Sequence, residues 1–226
     1  MNVFDQPTIK AVVFDLDGLM LNTEDIFDLA GRELLARRGL EMTHEIHRSM
    51  LGRRPDEAFQ AMKDLSGITD SIEDLKLETR ELFYGFADEH LAVMPGVLSL
   101  LDHIDQLGLP RAVATSSPRD YMITMLNRFG LLDGFQQTFT AEDVTHGKPN
   151  PEIYLMAAAS LELAPEQMLV FEDSETGTKA AAASGAFAVA VPNRHTESGD
   201  FSMASLKVGS LGDASIRALF CRDETS

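Results

Sequence analysis

Cysteine, positive charge and long apolar runs are all scarce in this sequence. Cys221 is the one cysteine among 226 residues, which excludes an intrachain disulfide and fits a reducing compartment. The 19 lysines and arginines are outnumbered by 36 aspartates and glutamates, and the formal net charge is −17. A field of this sign repels nucleic acid and anionic membrane surfaces, so we expect neither as a partner. No apolar run approaches the length that a membrane-spanning helix needs.

The start of the sequence, Met1 to Pro7, has neither the basic region nor the apolar stretch of a secretory signal. We therefore expect a cytoplasmic protein. The hydrophobic fraction of 44% and the charged fraction of 24% are typical of a globular chain that buries a core. Because the net charge also repels anionic metabolites, an anionic substrate would need cations close to its binding site.

The stretch from Ala11 to Gly18 organises the rest of the chain. Its unbroken apolar run, Ala11 to Phe14, predicts a strand that is buried on both faces of a parallel sheet and ends at Gly18. Ligands of open α/β sheets bind at the carboxyl ends of the strands, where Asp15 and Asp17 would lie. Two carboxylates this close repel each other unless a cation or a shared proton separates them. The stretch therefore predicts a metal site.

The remaining chain divides into a helical part and an alternating part. Residues 22–92 show only helical patterns, with breaks at Gly39 and Gly67. From residue 93 onward, short apolar runs alternate with helical segments, which predicts βαβ units and a parallel sheet. We therefore expect an α/β core from residues 1–21 and 93–226, with an all-α insertion after the first strand.

Two further predictions concern the ends of individual elements. Asn22 or Thr23 is expected to cap the first helix of the insertion, in which Phe27 shares an apolar face with Ile26. The segment from Phe135 to Thr140 is predicted as a strand.

Polar clusters follow the predicted strands and would meet at one edge of a parallel sheet. They comprise Asp15 and Asp17, Thr115 and Ser116, Glu172 and Asp173, and Lys148 in a proline-stiffened loop. Carboxylates such as Asp15 and Asp173 are hard oxygen ligands suited to Mg²⁺. Thr115 and the amides after it can donate to phosphate oxygens, and Lys148 supplies the positive charge that the acidic chain lacks.

Each cluster taken alone also has a plainer explanation. The two aspartates are compatible with a solvated turn, Thr115 with a helix cap, Lys148 with a surface lysine, and Glu172 with a partner for a backbone amide. Their joint occurrence at successive strand ends favours a functional site.

Four motifs in the order of the chain carry a family resemblance. They are Asp15-Leu16-Asp17-Gly18, Thr115-Ser116, Gly147-Lys148-Pro149-Asn150-Pro151 and Phe171-Glu172-Asp173-Ser174. The sequence resembles haloacid dehalogenase superfamily phosphatases of the β-phosphoglucomutase-like and pseudouridine-5'-phosphatase-like subfamily. The resemblance covers nearly the whole chain. It implies a Rossmann-like three-layer core with a parallel sheet, and a helical cap formed by residues 22–92.

The resemblance also implies a role for each motif residue. Asp15 is the expected nucleophile, which forms an aspartyl-phosphate. Asp17 is the expected general acid and base, and its backbone carbonyl joins Asp15 and Asp173 in binding Mg²⁺. Glu172 is expected to support these metal ligands.

Thr115, the Ser116 amide and Lys148 are expected to hold the transferring phosphoryl group. The resemblance thus implies a Mg²⁺-dependent phosphatase acting on a small phosphorylated metabolite, namely a sugar, polyol or nucleoside phosphate. Because a cap already covers the site in such enzymes, we expect a monomer.

Two positions in the insertion are candidates for substrate contact. Arg53, next to Arg54, lies either in a solvated connecting loop or in a loop that grips a second anionic or hydroxylated group of the substrate. Glu24 follows the first motif and is a candidate for lining the pocket.

Two rival functions remain at this stage. A β-phosphoglucomutase-like mutase is less favoured because Phe27 stands where the resembling mutases carry a histidine. A receiver-type phosphoacceptor module uses similar residues at strand ends but lacks a helical insertion after its first strand. The carboxylate of Asp17 argues against the dehalogenases and phosphonate hydrolases of the superfamily, which do not use an acid there.

Overall fold

The computed structural model describes residues 8–50 and 55–220. The chain forms two compact units: Met1–Leu21 together with Val93–Ser226, and Asn22–Ala92. We call the first the core unit and the second the cap unit.

The core unit is built on a parallel sheet, which has six strands among the described residues. In chain order the strands are β1 (Ala11–Phe14), β2 (Arg111–Ala114), β3 (Gln137–Phe139), β4 (Met168–Glu172), β5 (Phe187–Ala190) and β6 (Leu206–Lys207). Their order across the sheet is β3-β2-β1-β4-β5-β6, and every neighbouring pair is parallel. This arrangement confirms the predicted α/β class. It also places β1 between β2 and β4, whose ends carry the other predicted site residues.

The cap unit consists of helices and connecting segments. The helices are α1 (Thr23–Ala36), α2 (His44–Met50), α3 (Pro55–Ser66) and α4 (Ile72–His90). Ile26 is fully buried on α1, as predicted, whereas Phe27 is 43% exposed. Its ring lies 4.4 Å from the ring of Phe83 on α4. Phe27 lies about 100° around the helix from Ile26, so it packs at the edge of the predicted apolar face of α1 and stays partly exposed.

Asn22 joins the two ends of the cap unit. Although it precedes α1, its side chain makes no capping hydrogen bond, and Thr23 is already helical, so the predicted side-chain cap is wrong. The Asn22 Oδ1 instead accepts a 2.7 Å hydrogen bond from the Ala92 amide, and Nδ2 donates to the His90 carbonyl at 3.2 Å. The Asn22 amide also donates to the Ala92 carbonyl at 3.1 Å.

Further helices alternate with the strands of the core unit. They are α5 (Val97–Gln106), α6 (Arg119–Asn127), α7 (Glu152–Ser160), α8 (Glu175–Ser184) and α9 (Ala214–Ala218). Buried residues of α7 and α8, including Ala157 and Ala180, form one hydrophobic cluster with Val13 and Val170 of the sheet. The small side chains of these helices let them pack closely against the strands. This packing holds α7 and α8 against the sheet.

The third strand is shorter than predicted. Residues Leu132–Gly134 form a turn of 3-10 helix, and the Phe135 ring packs 6.3 Å from the Phe14 ring and under the Arg111 guanidinium. Thr140 precedes the next 3-10 turn, Ala141–Asp143, where its amide donates to Asp143 Oδ2 at 2.8 Å and its hydroxyl donates to Glu142 Oε2 at 2.8 Å. The apolar side chain of Phe135 therefore serves core packing, and Phe135 lies outside the strand. None of the helices in the described ranges is long and apolar enough to cross a membrane.

Candidate active site

The predicted carboxylates and Lys148 converge at the carboxyl ends of the central strands. Asp15 follows β1, Glu172 ends β4 and Asp173 comes next, and these residues are only 7%, 1% and 4% exposed. One carboxylate oxygen from each lies within 4.8 Å of the others. Burying three acidic groups so close together requires compensating positive charge.

Lys148 supplies part of that charge. Its Nζ donates to Asp15 Oδ1 at 2.6 Å, to Glu172 Oε1 at 2.6 Å and to the Ala114 carbonyl at 2.9 Å. All three ammonium protons therefore have acceptors. Burial disfavours the charged amine, but Asp15 and Glu172 outweigh that effect and raise the pKa of Lys148 well above its usual range. Lys148 is thus a fixed cation at the centre of the cluster.

One lysine does not balance the charge of the three carboxylates in the cluster. Burial raises the pKa of the Asp15 carboxyl above its usual value; Lys148 opposes this shift, while the charges of Glu172 and Asp17 add to it. The cluster therefore carries surplus negative charge in a buried place. A hard divalent cation bound by these carboxylate oxygens would offset that charge, so the donor set fits Mg²⁺.

Asp173 is held in place by Asn193 from the loop after β5. The Asn193 Nδ2 donates to Asp173 Oδ2 at 2.8 Å and to the Gly18 carbonyl at 3.0 Å. Gly18 has φ of +75°, and a Cβ at this position would overlap Asp173 Oδ2. The first motif thus ends in glycine for two reasons: the left-handed backbone and the close approach of Asp173.

Asp17 belongs to a different set of contacts. Its Oδ2 accepts hydrogen bonds from Ser117 Oγ at 2.6 Å and from Thr115 Oγ1 at 3.3 Å. Its Oδ1 accepts from the Tyr121 hydroxyl at 2.9 Å. The two aspartates of the first motif therefore point to different partners: Asp15 to Lys148, and Asp17 to hydroxyls of the segment that follows β2 and of the first turn of α6.

A cavity of about 180 Å³ adjoins this region in the core unit. Its lining includes Thr115, Ser116, Gly147 and Lys148. Thr115 is buried, and its hydroxyl accepts from the Ser117 amide at 3.0 Å while donating to Asp17; Ser116 is exposed. The predicted phosphate-binding residues thus share a space large enough for a phosphoryl group, and their role stays a prediction.

Glu172 is positioned by residues that sequence reasoning missed. The Tyr154 hydroxyl donates to Glu172 Oε1, and Ser174 Oγ donates to Oε2 at 3.3 Å. A Cβ on Gly177 of α8 would overlap the Glu172 carboxylate. The sequence does offer a signal here, namely a glycine in an alanine-rich helix. Glycine weakens a helix, so its presence indicates that another group occupies the space of a side chain.

The other missed residues carried weaker signals or none. Ser117 directly follows Thr115 and Ser116 in the sequence, but phosphate binding was predicted only for those two residues. Tyr121, Tyr154 and Asn193 reach the site through tertiary contacts alone.

The predicted roles of two further residues are not tested by the described structure. Arg53 lies outside the described residues. Glu24 is partly buried in the first turn of α1, in the cap unit, and its contact with substrate stays a prediction.

The fold and motifs place the chain in a known class. A family profile described as haloacid dehalogenase-like hydrolase matches residues 12–191. The chain belongs to this family, which confirms the resemblance and the prediction of a hydrolase.

Particular relatives have phosphatase names. The chain is 33% identical over 177 residues to a phosphorylated carbohydrates phosphatase of Thermotoga maritima, covering 78% of this chain and 82% of the relative. It is 35% identical over 187 residues to the validoxylamine A 7'-phosphate phosphatase of Streptomyces hygroscopicus subsp. limoneus, covering 82% and 87%.

Among solved structures, a putative β-phosphoglucomutase from Thermotoga maritima matches with a TM-score of 0.79 and 30% identity over 90% of this chain and 95% of that one. The Rossmann-like fold of the family is thereby confirmed.

Proposed function

We propose that this protein is a Mg²⁺-dependent phosphatase that hydrolyses a small phosphomonoester through an aspartyl-phosphate on Asp15. The observation that carries the proposal is the separation of the two aspartates. Asp15 is buried against Lys148, which lies 2.6 Å away, whereas Asp17 is held by hydroxyls of another segment. A nucleophile and an acid–base group two residues apart need such different surroundings.

In the first step, an Asp15 carboxylate oxygen attacks phosphorus and the bond from phosphorus to the leaving oxygen breaks. The protonated Asp17 carboxyl gives its proton to that oxygen, so the products are an alcohol and the Asp15 aspartyl-phosphate. Lys148 remains beside Asp15, where its positive charge stabilises the negative charge of the phosphoryl group.

In the second step, water attacks the phosphorus of the aspartyl-phosphate. The Asp17 carboxylate takes a proton from that water, and the bond from phosphorus to Asp15 breaks. The products are inorganic phosphate, a free Asp15 carboxylate and a protonated Asp17, which restores the starting state.

Asp15 and Asp173, with the backbone carbonyl of Asp17, would hold the Mg²⁺, and Glu172 would support this set. When bound, the ion offsets negative charge on the phosphoryl group. Thr115, Ser116 and Lys148 line the cavity in which the phosphoryl oxygens would lie.

The names of the relatives support a sugar or polyol phosphate as substrate. Besides the two phosphatases above, a (DL)-glycerol-3-phosphatase of Arabidopsis thaliana is 31% identical over 215 residues. The mutase alternative is not favoured, because these curated relatives are named phosphatases. The family match argues against a receiver module. A cytoplasmic location and a monomeric state stay predictions from the sequence.

The test is phosphate release from a panel of sugar, polyol and nucleoside phosphates in the presence of MgCl2. Asp15→Asn should lower kcat by at least about 1000-fold, because the amide is a far poorer nucleophile. Asp102→Asn is the matched control, because Asp102 is exposed on α5. Near-normal phosphate release by Asp15→Asn, with the fold intact by circular dichroism, would contradict the proposal.

A further inference from the structure

Both carboxylate oxygens of Asp17 are held by hydroxyls from one short segment. Ser117, just before α6, donates to Oδ2 at 2.6 Å, and Tyr121, in the first turn of α6, donates to Oδ1 at 2.9 Å. Thr115 adds a longer bond of 3.3 Å to Oδ2. A carboxylate bound at one oxygen can still rotate about its Cβ–Cγ bond, whereas a bond at each oxygen fixes its plane.

We propose that Tyr121 is a positioning residue that fixes the orientation in which Asp17 exchanges protons with the substrate oxygen and with water. The inference rests on the proposed function, in which Asp17 is the acid and base. Proton transfer needs a donor and acceptor within about 2.6–3.2 Å, so the plane of the carboxyl group affects the rate. Ser117 alone leaves that plane free, and Tyr121 supplies the second point of attachment.

The Tyr121 hydroxyl can be removed without disturbing the core. Residue 121 is only partly buried, while Met122, Met125 and Leu126 form the buried side of α6. Tyr121→Phe keeps the ring and removes one donor to Asp17.

The choice of leaving group separates an effect on Asp17 from a general loss of structure. An alkoxide is a poor leaving group and needs the Asp17 proton, whereas p-nitrophenolate departs as a stable anion. The ratio kcat/KM reports only the steps up to the departure of the leaving group, so the later water step does not obscure the comparison.

The experiment compares p-nitrophenyl phosphate with the alkyl phosphate from the panel that wild-type enzyme hydrolyses fastest. Tyr121→Phe should lower kcat/KM for the alkyl phosphate about tenfold and for p-nitrophenyl phosphate less than about twofold. Ser117→Ala should show the same selectivity, and it carries the test if Tyr121→Phe does not fold. Tyr84→Phe, on α4 of the cap unit, is the matched control and should leave both values unchanged.

A second comparison asks whether Tyr121 acts through Asp17. In an Asp17→Asn background, measured with enzyme in excess, adding Tyr121→Phe should change the alkyl-phosphate rate by less than about twofold. Equal losses on both substrates, a gain with the alkyl phosphate, or a further loss in the Asp17→Asn background would each overturn the inference. If wild-type turnover requires Asp15 but no selective loss appears, only the role of Tyr121 fails. If Asp15→Asn remains active, the proposed function itself fails.

Discussion

Gly177 leaves the space in which the Glu172 carboxylate lies. Gly177 lies in the first turn of α8, and glycine is less favourable than alanine in a helix by up to about 1 kcal/mol. The remainder of α8 is rich in alanine, so the local sequence would support the helix better with one more. The space above Gly177 is filled by a carboxylate that accepts from both Lys148 and Tyr154. Gly177 therefore lowers the stability of the helix but leaves room for the Glu172 carboxylate.

Gly177→Ala should lower kcat by at least about tenfold, because the new Cβ pushes the Glu172 carboxylate away from Lys148. Steady-state phosphatase assays and thermal melts measure the effects on activity and stability.

Gly85→Ala on α4 is the matched control, because, apart from the adjoining residues and backbone of its own helix, no atom of the described residues lies within 4 Å of a Cβ at that position. It should raise stability by up to about 1 kcal/mol and leave kcat unchanged. Wild-type kcat in Gly177→Ala would show that the enzyme does not depend on the Glu172 position.

Some residues of the site could be predicted from the sequence. The others could not, because they lie far along the chain from the residues that they contact. Asp15, Glu172 and Asp173 come directly after apolar runs, so their place at the sheet edge follows from the parallel topology. Tyr121 reaches Asp17 across 104 positions of sequence, and no local pattern around either residue predicts that contact. Asn193 likewise contacts Asp173 only through the fold.

At the scale of elements, the contacts of Arg38 link the end of α1 to α4. Its Nη2 donates to Asp70 Oδ1 at 2.7 Å and to Glu78 Oε2 at 2.8 Å, while Nη1 donates to the Leu34 carbonyl at 2.8 Å. The hydrogen bond from Arg38 lowers the pKa of the Glu78 carboxyl below its usual value. The group therefore binds its proton more weakly in the folded cap than in the unfolded chain.

Glu78→Gln should lower the free energy of unfolding by about 1 kcal/mol or less at pH 7, as expected for a partly exposed ion pair. Because the folded-state pKa is lowered, this contribution is present above the unfolded value of about 4.3 and is lost as the pH falls through it towards the folded value. Urea unfolding of wild type and variant between pH 7 and pH 3 measures the difference.

The exposed Glu81 on the same helix provides the control, and Glu81→Gln should lower the free energy of unfolding at pH 7 less than Glu78→Gln does. A Glu78→Gln effect that does not shrink below about pH 4.3 would contradict the ion-pair explanation.

The same scale shows where prediction of elements succeeds. The runs of β1 and β4 are apolar throughout and buried on both faces, so their pattern predicts their place. The edge strand β3 is polar and partly exposed, and its neighbour Phe135 is buried by rings and a guanidinium from other elements. Periodicity cannot distinguish such packing from a strand.

For the whole molecule, a net charge of −17 and a buried acidic cluster mean that a bound divalent cation should stabilise the fold. Mg²⁺ at about 100 times its Kd should add about 2.7 kcal/mol to the free energy of unfolding. Thermal melts in a phosphate-free buffer, titrated first with EDTA and then with MgCl2, measure this without any turnover.

Asp173→Asn should abolish the rise in melting temperature with Mg²⁺, whereas Asp102→Asn should retain it. A melting temperature of the wild type that does not respond to Mg²⁺ would contradict the proposed metal site.

The chain enters and leaves the cap unit at paired positions. In the core unit, the Met94 amide donates to the Met20 carbonyl at 2.8 Å, and Leu21 forms an antiparallel bridge with Val93. In the cap unit, hydrogen bonds join Asn22 to Ala92, although 70 positions separate them. Because the chain returns to the point at which it left, grafting another helical module there would leave the register of β1 unaltered. The length of this helical segment can thus change without moving Asp15 and Asp17 from the carboxyl end of β1.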